Sequence, residues 1–283
     1  MPAAEIEIAV SVARSLIDAQ FPRFATLAIA PFAHGWDNEI FALGGELLVR
    51  MPRRETAVPL IENERHVELV APHCTLPVPE LVERGRPGPG YPYPWSIVRR
   101  LPGEPVGDQL LDAGNARVLG RFVRSLHVPA PASAPRNPLR GVPLIDRQAR
   151  FDSSLAALGD RVDRGRIRAA WDRALTTPAW SAPPVWLHGD LHSYNVLWDR
   201  ARITGVIDFG DITAGDPATD LMIAFVAFGD REREVFLVET GADADTIERA
   251  RGWAIALGLV FAASDDPALS ALGLRAIAAA QRR

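Results

Sequence analysis

The chain has 283 residues, 48% of them hydrophobic and 23% charged, enough for two modest lobes with real cores. A net charge of −4 removes any general case for nucleic-acid binding, and the single cysteine, Cys74, rules out an intrachain disulfide or a cysteine-built metal site. Glu5, Glu7 and Asp18 interrupt the amino-terminal apolar positions, so they do not read as a secretion signal, and no run reaches the length of a membrane span; a cytoplasmic protein with no membrane partner is expected.

Ile6, Val10, Ala13 and Ile17 recur at helical spacing and predict a helix over 3–20, ended by Pro22. Strands are predicted over 24–32, 40–43 and 47–51, separated by a turn at His34-Gly35-Trp36-Asp37-Asn38 and a hairpin at Gly44-Gly45. Alternation in the third strand puts Leu48 and Arg50 on one face and Leu47 and Val49 on the other. A helix is expected over 57–71, carrying Glu62, Glu64 and Glu68. A strand at 80–83 and another from Trp95 to Arg99 flank the turn-rich run Arg86 to Pro94, whose prolines exclude helix. Leu101-Pro102-Gly103 breaks the last strand and marks the boundary between an amino-terminal lobe, 1–101, and a carboxy-terminal lobe, 102–283.

Beyond residue 108 the pattern is helical. Leu119, Phe122, Val123 and Leu126 define a helix over 112–127, with His127 at its end as a capping or packing residue. Residues 129–143 form a loop that reads either as a substrate-shaping insert or as a connector, and helices follow at 146–158 and 163–176. Residues 230–283 are expected to form three helices, with amino-terminal signals at Asp243-Ala244-Asp245 and Asp265-Asp266-Pro267. Asp211, Glu239 and nearby acids can be read as partners for substrate amines or as solvated surface.

Chemistry concentrates between Trp186 and Asp220. Val185-Trp186-Leu187 reads as a buried strand delivering His188-Gly189-Asp190, and Val196 to Ile207 as a hairpin delivering Asp208-Phe209-Gly210. This spacing suits phosphoryl transfer from a nucleotide. Asp190 can take or orient the proton of an attacking hydroxyl, while Asn195 and Asp208 present hard oxygen donors that suit Mg²⁺. Asp190 and Asn195 have the D-x₄-N spacing of a kinase catalytic loop, and Asp208 opens a literal D-F-G eighteen residues after Asp190. Asp216 and Pro217 read as the start of a helix that carries Asp220 and Leu221 to Phe228.

H-G-D-L-H-x-x-N-V-L from His188, V-I-D-F-G-D from Val206 and G-D-P-A-T-D-L from Gly215 resemble the aminoglycoside phosphotransferase family, a branch of the protein-kinase-like fold. The resemblance implies an α+β, bilobal architecture: a small lobe with an antiparallel sheet and a helix, then a large, mainly helical lobe. It implies ATP or GTP as phosphate donor, Mg²⁺, and a hydroxylated small-molecule acceptor. That acceptor is an aminoglycoside-type or related antibiotic or, alternatively, a sugar, amino alcohol or macrolide.

Residue roles carried by the resemblance follow the motif. Asp190 is the catalytic aspartate, Asn195 and Asp208 the metal-holding residues, and His188 and Asp220 the braces of the loop. Arg50 stands where the family has a phosphate-contacting lysine; the chain contains no lysine at all. Glu64 is its expected carboxylate partner. Asn38 belongs to the turn expected over the phosphates, and Val98, Arg99 and Leu101 to the hinge expected along the purine edge. Two other readings stand beside this one. His188, Asp190, His192 and Asp208 can be read as a hydrolase's zinc or manganese site, and the missing lysine fits a nucleotide-binding protein without catalysis.

Overall fold

The computed structural model describes residues 4–282. Helix α1 (Val10–Gln20) turns Ala13, Leu16 and Ile17 inward. It begins later than its periodicity suggests: residues 4–9 are not helical, and the first position of the predicted span lies outside the described residues. Pro22 opens a short 3-10 turn to Phe24, so the first strand, β1 (Ile29–His34), also starts later than expected. Proline's fixed φ and missing N–H suit the first turn of a helix and not a sheet ladder.

β2 (Asn38–Leu43) and β3 (Leu47–Pro52) follow, then β4 (Leu81–Gly85) and β5 (Trp95–Arg99). They form a five-stranded antiparallel sheet in the order β1-β2-β3-β5-β4. Its inner face (Phe41, Leu43, Val49, Met51, Trp95, Ile97) packs on α1. Alternation along β2 and β3 is what separates this apolar face from the cleft face that carries Arg50.

The helix expected over 57–71 is divided into α2 (Val58–Asn63), a 3-10 turn from Glu64 to His66, and α3 (Val67–Val70). The break falls where tertiary bonds intervene. Asn63 Nδ2 donates to the carbonyls of Gly210 and Ile212, at 2.9 and 2.7 Å, and Glu64 turns to Arg50.

The second part of the chain starts with β6 (Glu104–Pro105) and α4 (Ala113–Leu126), which Asp112 caps by accepting the Asn115 N–H at 2.8 Å. After the 129–143 loop come α5 (Gln148–Leu158) and α6 (Arg164–Thr176). Next are β7 (Val185–Leu187), β8 (Val196–Trp198), β9 (Ile203–Val206) and β10 (Thr213–Gly215). β6, β8 and β9 form one small sheet. β10, absent from the sequence reading, pairs antiparallel with β7.

The helix expected from Asp216 onward is only α7 (Ala218–Leu221), continued by a 3-10 turn to Phe225. α8 (Asp230–Thr240), α9 (Ala244–Ala262) and α10 (Pro267–Gln281) complete the chain. Asp243 caps α9 and Asp266 caps α10, as their sequence signals anticipated. α9 runs through the core and is apolar nearly all round, burying Trp253, Ile255 and Leu259. α10 crosses it closely at Gly273, where a Cβ would stand 2.4 Å from the Gly258 carbonyl oxygen. The two parts are thus the small sheet-bearing lobe and large helical lobe of a bilobal α+β fold.

Candidate active site

β7 leads directly into His188-Gly189-Asp190, and Asp220 at the start of α7 holds this segment from below. The Asp220 carboxylate is fully buried and accepts the backbone N–H groups of His188 at 2.8 Å and Gly189 at 2.9 Å. The His127 ring meets Oδ2, the oxygen that also takes the His188 N–H, at 3.1 Å, so the histidine that ends α4 also supports the His188-Gly189-Asp190 segment. Gly189 has φ +86°, and a Cβ there would lie 2.2 Å from the Asp211 carbonyl oxygen; glycine is the residue this bend admits. Both ring nitrogens of His188 are engaged. Nε2 bonds the Ile207 carbonyl at 3.0 Å and Nδ1 accepts the Asp190 N–H at 3.2 Å. His188 therefore has no lone pair left for a metal. Among the described residues no group of three or more His, Cys, Asp or Glu is placed to hold an ion, so the donor set of the hydrolase reading is not assembled.

A short 3-10 turn, Ser193–Asn195, brings Asn195 back under the loop. Its Nδ2 donates to the Asp190 backbone carbonyl at 2.9 Å, and its backbone carbonyl accepts the Ile207 N–H at 2.9 Å. These bonds join the two motifs and set Asn195 beside the strand end that carries Asp208. Asp208 adopts a left-handed conformation, φ 67°, and its carboxyl remains 49% exposed. The Asn195 Oδ1 receives no donor from the described residues. An amide oxygen and a half-exposed carboxylate are hard donors that suit Mg²⁺ completed by phosphate oxygens and water.

Across the cleft, Arg50 on β3 is buried and bridges two acids. Its Nη2 lies 2.5 Å from Glu64 Oε1 and 2.9 Å from Asp208 Oδ1. Burial outweighs the opposing charge of Arg50 on Glu64 and lifts its carboxyl to about 7. For Arg50, Glu64 and Asp208 outweigh the cost of burial and hold the guanidinium charged. A void of about 20 Å³ remains between Arg50, Glu64, Val67, Val98, Asp208 and Phe209.

Asn38 is not on the turn where the sequence placed it. It is the first residue of β2, is buried, and has an unpartnered Oδ1. The turn itself is Gly35 to Asp37, tied to the end of β3 by Arg53 to the Gly35 carbonyl and Arg54 to the Asp37 carboxyl. At the hinge, Val98 is buried in β5 and the Arg99 side chain turns away to Glu80 at 2.9 Å. The N–H groups of Arg99 and Arg100 are taken by the Glu80 and Glu46 carbonyls, whereas that of Leu101 has no protein acceptor among the described residues.

Arg140 and Asn137 were not foreseen, and His192 was read as a candidate metal ligand. Arg140, in the loop over 129–143, donates from Nη2 to Asp190 Oδ1 at 2.9 Å, and His192 Nε2 stands 3.3 Å from Oδ2. Burial raises the Asp190 carboxyl, but Arg140, His192 and His188 together hold it well below the usual carboxylate range. Asn137, from the same loop, bonds Asp211 at 2.5 Å, so Asp211 is already occupied. A cavity of about 410 Å³ opens beside Arg140, walled also by Asn137, Leu144, Trp180 and Arg249; neither Asp190 nor Asp208 lines it. Glu239 is placed elsewhere than expected: it lies on α8 and pairs with Arg121 of α4 at 3.1 Å. Asp216 keeps its expected bond to the Ala218 N–H, but its carboxylate chiefly grips buried Arg249 of α9, at 2.7 Å.

Residues 28–254 match the family model described as phosphotransferase enzyme family. The chain belongs to the phosphotransferase enzyme family. The match runs from the strand pairing of β1 into the middle of α9 and so contains Arg50, Glu64, Asp190, Asn195 and Asp208. Among family relatives, the viomycin phosphotransferase of Streptomyces vinaceus is 29% identical over 180 residues, covering 60% of this chain and 62% of that protein. The aminoglycoside 3'-phosphotransferase of Salmonella typhimurium is 26% identical over 144 residues, 48% of this chain and 53% of that one. The chain thus spans between about half and three fifths of the length of these curated relatives. The fold is shared more widely than the sequence. The solved GDP complex of aminoglycoside 2'-phosphotransferase-IIIa superposes with a TM-score of 0.71 at 18% identity, over 97% of this chain and 99% of that one.

Proposed function

We propose that the chain is a small-molecule kinase that transfers the γ-phosphate of ATP or GTP to a substrate hydroxyl. The observation that supports this reading is the bonded series Asp190–Asn195–Ile207, which joins the loop carrying Asp190 to the strand end carrying Asp208, itself bonded by Arg50. Residues 1–101 take the nucleotide, with its purine edge at the free Leu101 N–H, and residues 102–283 carry catalysis and the acceptor. Asn195 and Asp208 would hold Mg²⁺, which neutralises phosphate charge when bound. Arg50, kept in place by Glu64, steadies the phosphate oxygens through a fixed fork of donors. Asp190 accepts the hydrogen bond of the attacking hydroxyl. Its depressed pKa suits orienting that hydroxyl and receiving its proton late, once negative charge has moved onto the transferred phosphoryl group. Phosphoryl transfer from a nucleotide is mostly positioning and charge compensation, so this division of labour suffices.

The relatives named viomycin and aminoglycoside phosphotransferases support an antibiotic of that kind as acceptor. A second reading, a hydroxylated metabolite, is favoured by a cation: Arg140 occupies the acceptor side of Asp190, where an aminoglycoside would bring positive charge. A cytoplasmic location, where nucleotide triphosphate is available, accords with this chemistry; among the described residues no helix is long and apolar enough to cross a membrane. The test is a phosphorylation screen with ATP and GTP over antibiotics, sugars and amino alcohols, with Asp190→Ala as control. Transfer that depends on Asp190 supports the mechanism. A true substrate turned over near normally by Asp190→Ala would sink it.

A further inference from the structure

The cavity of about 410 Å³ beside Arg140 lies between the 129–143 loop, the end of α6 with the segment that follows it, β10 and α9. That is room for a small organic molecule. Its walls are mainly apolar, with Val142, Leu144, Leu175 and the ring of Trp180, whose indole N–H is already taken by the Pro183 carbonyl at 3.2 Å. Among the described residues one acid lines it, Asp216, and that carboxylate is bound to buried Arg249 at 2.7 Å. The pair is neutral, so an amine in the cavity finds no acid to meet. Two cations remain on the wall. Arg136 is exposed, and its side chain makes no hydrogen bond or ion pair among the described residues. Arg140 is the other.

Arg140 belongs to two places at once. It lines the cavity, yet its Nη2 donates at 2.9 Å to Asp190 Oδ1, which lies outside it. Asn137 does the same, lining the cavity and bonding Asp211 beyond it. The Arg140 guanidinium still has donors to spare: Nη1 makes only a long bond, 3.4 Å, to the Leu139 carbonyl, and Nε is enclosed without a partner. Arginine forks match carboxylate oxygens in pairs. We propose that this cavity is a ligand site in its own right, for a small molecule with an apolar body and a carboxylate, and that the ligand's carboxylate shares the Arg140 guanidinium with Asp190. The walls of the cavity bury the body, while Arg136 and Arg140 supply the charge that the carboxylate needs. Sharing one cation makes the two anions competitors. The ligand loosens the hold of Arg140 on Asp190, and by reciprocity Asp190 weakens the ligand.

The test uses the full chain and three matched probes, naphthylacetate, naphthylacetamide and naphthylethylamine, titrated by calorimetry with and without ADP and Mg²⁺. No probe titration involves phosphoryl transfer, so a failure of the kinase reading shows in the nucleotide titrations and leaves these intact. Naphthylacetate should bind saturably and about tenfold more tightly than the amide, roughly the worth of one charge-assisted hydrogen bond, and the amine should bind most weakly. Arg140→Gln should bring the carboxylate and the amide to equal affinity. Arg136→Gln, at an exposed position, should weaken the carboxylate several-fold and leave the amide unchanged. Ala182→Trp, also at an exposed position of the wall, should fill the cavity and abolish the binding of both. Asp190→Asn frees Arg140 from its partner and should tighten naphthylacetate several-fold without altering the amide. The proposal is overturned if naphthylacetate shows no saturable binding, if the amide or the amine binds as tightly, or if Ala182→Trp leaves binding intact. It is equally overturned if ADP displaces the probe, which would place it in the nucleotide cleft, or if Asp190→Asn leaves the affinity for the carboxylate unchanged.

Discussion

Arg50 and Asp208, 158 residues apart in the chain, meet at 2.9 Å across the cleft, and the same Arg50 nitrogen reaches Glu64. Arg50 therefore sits between Glu64, in the turn that follows α2, and Asp208, just past the end of β9. The single nitrogen Nη2 bridges both acids, while Nε is buried without a partner.

Replacement of Arg50 should separate charge from geometry. Arg50→Lys keeps a cation and should stay within about tenfold of the parent kcat/KM, whereas Arg50→Met should lose about 10²–10³-fold, as for removal of a preorganised charge donor. Arg50→Met also strands buried Glu64 and should cost about 3–5 kcal/mol of stability. Steady-state kinetics and urea denaturation measure the two effects.

Glu64 should make stability depend on pH near neutrality. Its folded pKa of about 7 exceeds its ordinary value of 4.5, so the folded chain binds the extra proton. The favourable contribution is full below about pH 4.5 and is lost as pH rises through about 7. At roughly 1.4 kcal/mol per pH unit between the two values, it amounts to about 3 kcal/mol. Denaturation of the parent and of Glu64→Gln across this range should show the parent losing stability relative to the variant as pH rises. Parallel curves would exclude the effect.

Asp190→Asn should keep the loop in place, because the Asn195 bond goes to the Asp190 backbone and not to its carboxylate. The expected loss is about 10²–10⁴-fold in kcat, the usual worth of a positioned proton acceptor, with nucleotide affinity unchanged by titration calorimetry.

Asp220→Ala should act mainly on folding. It leaves the N–H groups of His188 and Gly189 buried without an acceptor and removes the partner of His127. Each unsatisfied donor costs about 1–3 kcal/mol. A substantial fall in melting temperature is expected, and kcat should fall in whatever folded protein remains. An unchanged melting temperature with normal activity would show that this carboxylate does not hold the loop.

Sequence alone determined a good deal of this molecule. The alternation of β3, the end of α1 before Pro22, and the caps of α9 and α10 are local: the residue that sets each backbone conformation lies within a few positions of it. The hairpin within the stretch from His188 to Asp208 was legible for the same reason, as two strands separated by a short turn. Local pattern could not report where a segment meets another. The expected 57–71 helix is interrupted where Asn63 bonds backbone 147 and 149 residues away. β10 exists because β7 pairs with it. Arg140 reaches Asp190 over 50 residues, and His127 reaches Asp220 over 93. An arginine in a proline-rich loop looks the same in sequence whether it is solvated or placed on a catalytic carboxylate. Only packing decides, because packing sets which charges lose water and which partner is then near enough to replace it. Residue order carried the expectation of phosphoryl transfer, whereas only the tertiary structure placed Arg140 on the Asp190 carboxylate.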